Sequence, residues 1–356
     1  MNDIDAVNGS GLGEGDVDTS DKMIDLSGLL AQLNRTYQRP ALVAGLTDHE
    51  RLWAVGATGV RRLGEDAQIT AAEPFHIGSV TKPISATVIA ALVDDGLLSW
   101  TTTAAEVFPE TAAVIHPQLR DVGIISFVAN RSGLASYTEP EDWIPFADWV
   151  GSPTALRERF TRQVLAARPA VTPGEALYSN AAFIVAAAMA ERATSQPWED
   201  LLRSRLLKPL HMTSAGTGWP AHGGKNAPVG HWEAGDTFRV DDADEMPIRW
   251  PLATPAGNLH MNVADLAALA RVHLQALAGH DSVVSAANIQ AWYREKGYKG
   301  GSQQICYAGS GGTFYAVLNL RPSERQATVL MTNGGDSADN LPGNVLNTLT
   351  QRVAEL

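Results

Sequence analysis

The chain has 356 residues, 45% of them hydrophobic, with 32 glycines, 19 prolines and a formal charge of −12. This is a globular composition, long enough for one large core or two joined lobes, and its acidity argues against phosphate-backbone binding, which needs clustered Lys and Arg. A single cysteine, Cys306, excludes an internal disulfide framework, and no apolar run reaches the roughly 18–20 residues that span a bilayer.

Residues 1–22 are acidic and rich in Gly and Ser, with neither the basic start nor the apolar centre of a secretory leader. They read as a flexible tail, and the expected compartment is the cytoplasm. A helix is predicted over MIDLSGLLAQLNRTY (23–37), then a hairpin or meander over RPALVAGLTDHERLWAVGATGVRR (39–62). HIGSVTKPISATVIAALV (76–93) turns helical and ends at Gly96. From about 101 to 222 apolar residues recur at helical spacing, notably in PTALRERFTRQVLAAR, NAAFIVAAAMAERAT and WEDLLRSRLLKPL. The last third mixes a helix, NVADLAALARVHLQAL, with two adjacent antiparallel strands, GTFYAVLNLRP and ATVLMTNGG, and a closing helix from 341. The pattern predicts an α/β lobe made from 23–100 and 225–356, with a mainly helical lobe, 101–224, inserted between its halves.

Ser79 and Lys82 are three residues apart and so share a helix face. Pro83 lacks an N–H and is tolerated only in the first helical turn, which puts Ser79 at the helix's N-terminal end. There the free amides and helix dipole favour an anion, such as the oxygen formed when a serine attacks a carbonyl. An ammonium in that place is disfavoured, and burial lowers its pKa toward that of a usable base. The same residues also fit a serine cap followed by a solvated lysine.

Two further stretches add to this. Tyr178-Ser179-Asn180 precedes a strongly apolar helix, and CYAGSGG (306–312) leads into a strand. In this order and spacing the three motifs resemble the penicillin-recognising serine hydrolases, closest to class C β-lactamases, family VIII esterases and D-amino-acid peptidases. The resemblance runs from about residue 40 to 350 and includes DDGLLSW, the NRSGL turn at 130–134 and KPLHMTSAGTG. It implies an α/β (α+β) fold, with an antiparallel sheet flanked by helices.

The resemblance also implies roles. Ser79 is the expected nucleophile, Lys82 accepts or relays its proton, and Tyr178 shares that work as phenolate or phenol before protonating the leaving group. Asn180 holds Lys82 and is placed to bond a substrate amide; read alone, Tyr178 and Asn180 also fit a turn and helix cap. Gly309 lets the strand approach the substrate, and the Ser310 N–H pairs with that of Ser79 as an oxyanion hole. Tyr307 stands where the family has the Lys or His of its third motif. With that cation missing, and Asp336 and Asp339 downstream, a neutral or amine-bearing substrate is favoured over an anionic one. The expected function is therefore an esterase or amidase acting on a small molecule through an acyl-enzyme. β-Lactamase or D-amino-acid peptidase, acyltransferase, and a catalytically silent binding domain follow in that order.

Other candidates rank lower. AGSGG around Ser310 lacks the first glycine of a nucleophile elbow and leads into a strand, not a helix. Cys306 reads as a buried strand residue. The histidines show no paired ligand spacing, so neither metal nor cofactor is expected. His76 and His260 read as packing residues, His260 within reach of the cleft. The acidic run 241–245 lacks Ca-loop spacing. Trp143, Trp149, Trp219, Trp232 and Trp250 fall in segments that should overhang the cleft, which suggests an aromatic wall or ordinary lobe packing. The oligomeric state is left open.

Overall fold

The computed structural model describes residues 22–220, 227–235, 237–241 and 251–335, with 345–346, 348–349 and 351–352. Residues 1–21, Trp250, Asp336, Asp339, most of the acidic run after Asp241 and much of the expected closing helix lie outside the described residues.

The first third of the chain forms β1 (Ile24–Asp25), β2 (Ala41–Asp48), β3 (Leu52–Gly59) and β4 (Phe75–His76). The middle supplies β5 (Gly216–Thr217), β6 (His231–Ala234), β7 (Thr237–Val240) and β8 (Leu259–Met261). The last third gives β9 (Ile305–Ser310), β10 (Tyr315–Arg321) and β11 (Gln326–Thr332). The main sheet runs β1-β3-β2-β11-β10-β9, antiparallel except for the parallel β1–β3 pair. Its two middle strands come from opposite ends of the chain, β2 pairing with β11. The expected β2–β3 hairpin and β10–β11 pair are both present. Met23–Tyr37 differs from expectation. The helix begins only at Ser27, because Ile24 and Asp25 pair with Ala54 and Val55 of β3.

Both faces of the sheet are covered, so β2 is buried along nearly its whole length instead of alternating. Leu42, Ala44, Leu46, Val317 and Leu330 pack under helix Ser27–Tyr37 with Val345 and Leu349. Val43, Leu318, Val329 and Met331 face the main core, beneath helix Val263–Leu277. Strand β9 lies at the sheet edge, and Cys306 is exposed. The expectation of a buried thiol fails because Cys306 and Ala308 share a face of β9 that is left open to solvent.

Helix Thr81–Asp94 is buried from Thr81 to Leu92, between helices Asn180–Thr194 and Ala286–Glu295 and the short turn Thr254–Gly257. It is apolar nearly all round, as burial on every side requires. Among the described residues, no helix is long and apolar enough to cross a membrane.

Behind helix Asn180–Thr194, the fully buried Arg157 guanidinium meets Glu191 at 2.7 and 3.0 Å, Glu199 at 2.9 and 3.0 Å, and the Pro251 carbonyl at 2.8 Å. Removing the cation strands the buried Glu191 carboxylate away from water and leaves the partly exposed Glu199 unpaired beside it. Arg157→Met is expected to cost about 3–5 kcal/mol in urea unfolding, whereas Arg203→Met, at the exposed Asp200 pair, should change stability by less than about 1 kcal/mol.

Candidate active site

Ser79 lies in a tight turn, Gly78–Val80, just before helix Thr81–Asp94, with Pro83 as that helix's third residue. Lys82 follows one turn later and is only 5% exposed. Its Nζ lies 3.2 Å from Ser79 Oγ, 2.6 Å from Asn180 Oδ1 and 2.7 Å from the Ala256 carbonyl. Ser79 Oγ is 2.5 Å from the Tyr178 hydroxyl. The fold therefore gathers the serine, the lysine, the tyrosine and the asparagine into one hydrogen-bonded cluster.

The turn at 130–138 holds the second motif. Asn130 and Tyr137 adopt left-handed backbone conformations. The Asn130 side chain accepts from Ser179 N, and the Ser136 carbonyl accepts from Asn180 N. Ser179 Oγ donates to the Ala135 carbonyl at 2.6 Å and caps helix Asn180–Thr194 by accepting from Ala182 N. Asn180 Nδ2 donates to the Tyr137 carbonyl at 2.7 Å. Asn180 thus holds Lys82 with its amide oxygen and is itself held through one of its two N–H donors.

The protonation pattern follows from these contacts. Burial, helped by the positive charge of Lys296, holds the Lys82 amine well below the ordinary lysine pKa. A neutral amine has two N–H donors and one lone pair. Asn180 Oδ1 and the Ala256 carbonyl take the donors, which leaves the lone pair for the Ser79 proton. Burial of the Tyr178 hydroxyl outweighs its hydrogen bond to Ser79 and raises its pKa, although 42% of the residue is exposed at the cleft mouth. Tyr178 is therefore a phenol at neutral pH, not a phenolate.

Backbone packing sets the opposite wall. A Cβ at Gly309 would lie 2.2 Å from the Ile77 carbonyl oxygen and 2.5 Å from Ser79 N, and one at Gly78 would lie 2.5 Å from Ser310 N. Gly78 also has a positive φ of 48°. Only glycine at both positions lets β9 lie against the serine turn.

The cleft above Ser79 has a volume of about 410 Å³ and is lined by residues that include His76, Trp143, Tyr178, Trp219, Asn258 and Ser310. Trp219 stacks on His76 at 4.0 Å, and Trp143 stacks on Phe160 at 6.1 Å. Of the four considered tryptophans that fall within the described residues, Trp143 and Trp219 reach the cleft. Trp149 lines a neighbouring groove with Phe146 and Leu156, and Trp232 bonds Asp241 at 3.3 Å. His260 is held by the Gly218 carbonyl and does not line the cleft.

Tyr307 does not line it either. Its ring lies parallel to that of Trp292, 6.4 Å away, and its hydroxyl is buried beside that of Tyr293. Lys296 stands over both rings, at 5.6 and 5.8 Å. Sequence reasoning missed Lys296 because it ends a helix that carries no motif. Only the fold brings it within electrostatic range of Lys82.

These motifs, in this fold, have known counterparts. The profile of the beta-lactamase family matches residues 26–351. The chain belongs to the beta-lactamase family. Within it, penicillin-binding protein 4 of Amycolatopsis lactamdurans is 26% identical over 316 residues, covering 78% of this chain and 77% of that protein. The fold is shared with EstCE1, described as a hydrolase with promiscuous acyltransferase activity. That match has a TM-score of 0.70 and 14% identity, over 88% of this chain and 95% of the other. It is also shared with the class C beta lactamase of Rhodobacter sphaeroides, at a TM-score of 0.69 and 16% identity, over 92% of this chain and all of the other (100%).

Two outcomes test the geometry. Gly309→Ala should slow labelling of Ser79 by a fluorophosphonate at least about 100-fold and cost about 1–3 kcal/mol of stability. Lys296→Met removes a like charge and raises the Lys82 pKa, so the acidic limb of the labelling rate should move to higher pH. A limb that stays in place would separate Lys296 from Lys82.

Proposed function

We propose that this beta-lactamase-family serine hydrolase is an esterase or amidase that forms an acyl-enzyme with small, neutral substrates. The observation that carries the reading is the Lys82 amine, buried and shared between Asn180, Ala256 and Ser79. As Ser79 Oγ bonds to the substrate carbonyl carbon, its proton passes to the Lys82 lone pair. The backbone amides of Ser79 and Ser310 face the developing oxyanion. Tyr178 protonates the leaving alcohol or amine as the C–O or C–N bond breaks, and Lys82 returns a proton to Tyr178. Water then enters by the reverse route, its proton moving to the same pair as it attacks the acyl carbon, and Ser79 is released.

Neutral substrates are favoured because, among the described residues, the cleft lining carries His76, Thr138, Asn180, Asn258 and Ser310 with no carboxylate or guanidinium. Tyr307 supplies no cation, and Lys296 is turned toward aromatic rings. β-Lactam and D-amino-acid peptide substrates, which present a carboxylate, therefore rank second. The likeness to EstCE1, described as a hydrolase with promiscuous acyltransferase activity, supports acyl-group chemistry. A single cysteine in the whole chain supports the cytoplasm as compartment.

Hydrolysis of p-nitrophenyl butyrate and labelling by a fluorophosphonate test the reading. Ser79→Ala should abolish labelling and lower kcat/KM by a factor of about 10³ or more. Tyr178→Phe should lower kcat by a factor of about 10² to 10⁴. Turnover that survives Ser79→Ala refutes the assignment. A wild type that neither labels nor hydrolyses esters and amides points to a silent binding domain.

A further inference from the structure

A buried histidine with no task in the chemistry above ties together four elements of the fold. His273, on helix Val263–Leu277, is fully buried. Its Nε2 lies 3.0 Å from Thr87 Oγ1 on helix Thr81–Asp94, the helix that carries Lys82. Its Nδ1 lies 2.6 Å from the Tyr293 hydroxyl on helix Ala286–Glu295. The Tyr293 hydroxyl in turn stands beside that of Tyr307 on β9.

The direction of this chain follows from counting protons. Burial pushes the His273 pKa down to about 3, so at neutral pH the ring has one N–H and one bare nitrogen. The Thr87 hydroxyl gives its single proton to the Pro83 carbonyl at 2.8 Å. Its oxygen then accepts from His273, which puts the ring proton on Nε2. Nδ1 is left to accept from the Tyr293 hydroxyl, whose oxygen can take the proton of Tyr307. Run the other way, the chain would leave the Tyr307 proton with no acceptor in it.

The far end of the chain lies where the site needs support. Strand β9 is at the sheet edge, held along one side by β10. Yet it must stay in backbone contact with the serine turn, where a Cβ at Gly309 would lie 2.5 Å from Ser79 N, and present the Ser310 amide to the oxyanion. Tyr307 and Gly309 are two residues apart and so share a face of the strand. That face is the inner one, because Tyr307 packs against the main core. Its hydroxyl is therefore an inward anchor next to the contact that sets the oxyanion site.

We propose that His273 and Tyr307 are positioning residues: the chain Tyr307–Tyr293–His273–Thr87 pins β9 to the Lys82 helix and so holds the Ser310 amide at the oxyanion. This rests on the acyl-enzyme reading given above.

Tyr307→Phe and Tyr293→Phe each remove one hydroxyl and keep the ring, and hydrolysis of p-nitrophenyl butyrate reads their effect. Fluorophosphonate titration of active sites confines the comparison to folded enzyme. Each variant should lose about tenfold in kcat with KM within about twofold of wild type, because a displaced oxyanion donor weakens the transition state more than the bound ester. The double variant should lose about as much as the worse single one, because either change opens the same chain. Nitrogen-15 spectra of wild type should show the His273 proton on Nε2. A Tyr307→Phe kcat within about twofold of wild type, losses that multiply in the double variant, or a ring proton on Nδ1 overturns the proposal and leaves the acyl-enzyme reading standing. A wild type inert to the ester overturns the acyl-enzyme reading itself, and this inference with it.

Discussion

The site depends on keeping one amine dry. Lys82 is enclosed on a helix that is buried along nearly its whole length, and its nitrogen meets two fixed acceptors and one hydroxyl. An ammonium in that place loses its hydration and gains no carboxylate in return, so the neutral form is favoured. Each neighbouring feature serves this condition. Asn180 and the Ala256 carbonyl orient the amine, Lys296 adds a like charge, and Pro83 sets where the helix begins. The Ser79 hydroxyl then faces a lone pair on one side and the Tyr178 phenol on the other.

A second constraint is the close approach of two backbone segments. The serine turn and edge strand β9 touch through Gly78 and Gly309, and this contact brings Ser310 beside the nucleophile. Rigid elements stand behind each part. Strand β9 is held by β10, and the 130–138 turn by Ser179 and Asn180. An arrangement carried on strands and helix ends keeps its geometry better than one carried on free loops.

Much of this was legible in the sequence because the signals were local. The i, i+3 spacing of Ser79 and Lys82, and the proline after them, state their relation on a helix without any tertiary knowledge. The β2–β3 hairpin and the β10–β11 pair showed in runs of strand-forming residues between turn residues. Tyr178 is different. It lies 99 residues from Ser79, and only a family resemblance linked the two. Features made wholly by tertiary packing were not readable. Lys296 and His273 belong to no motif, the exposure of Cys306 depends on which face of β9 is left open to solvent, and β1 is too short to leave a pattern. The departure at Tyr307 was visible as a missing cation, but the residue's turn away from the cleft toward Trp292 was not.

The most direct measurement is a nuclear magnetic resonance titration of the lysine side chains in isotope-labelled protein, with Lys82 assigned by its loss in Lys82→Arg. The account predicts that the Lys82 signal titrates well below those of the surface lysines and is largely unprotonated where the enzyme works. A Lys82 signal that titrates together with the surface lysines, near 10.4 or so, would contradict it.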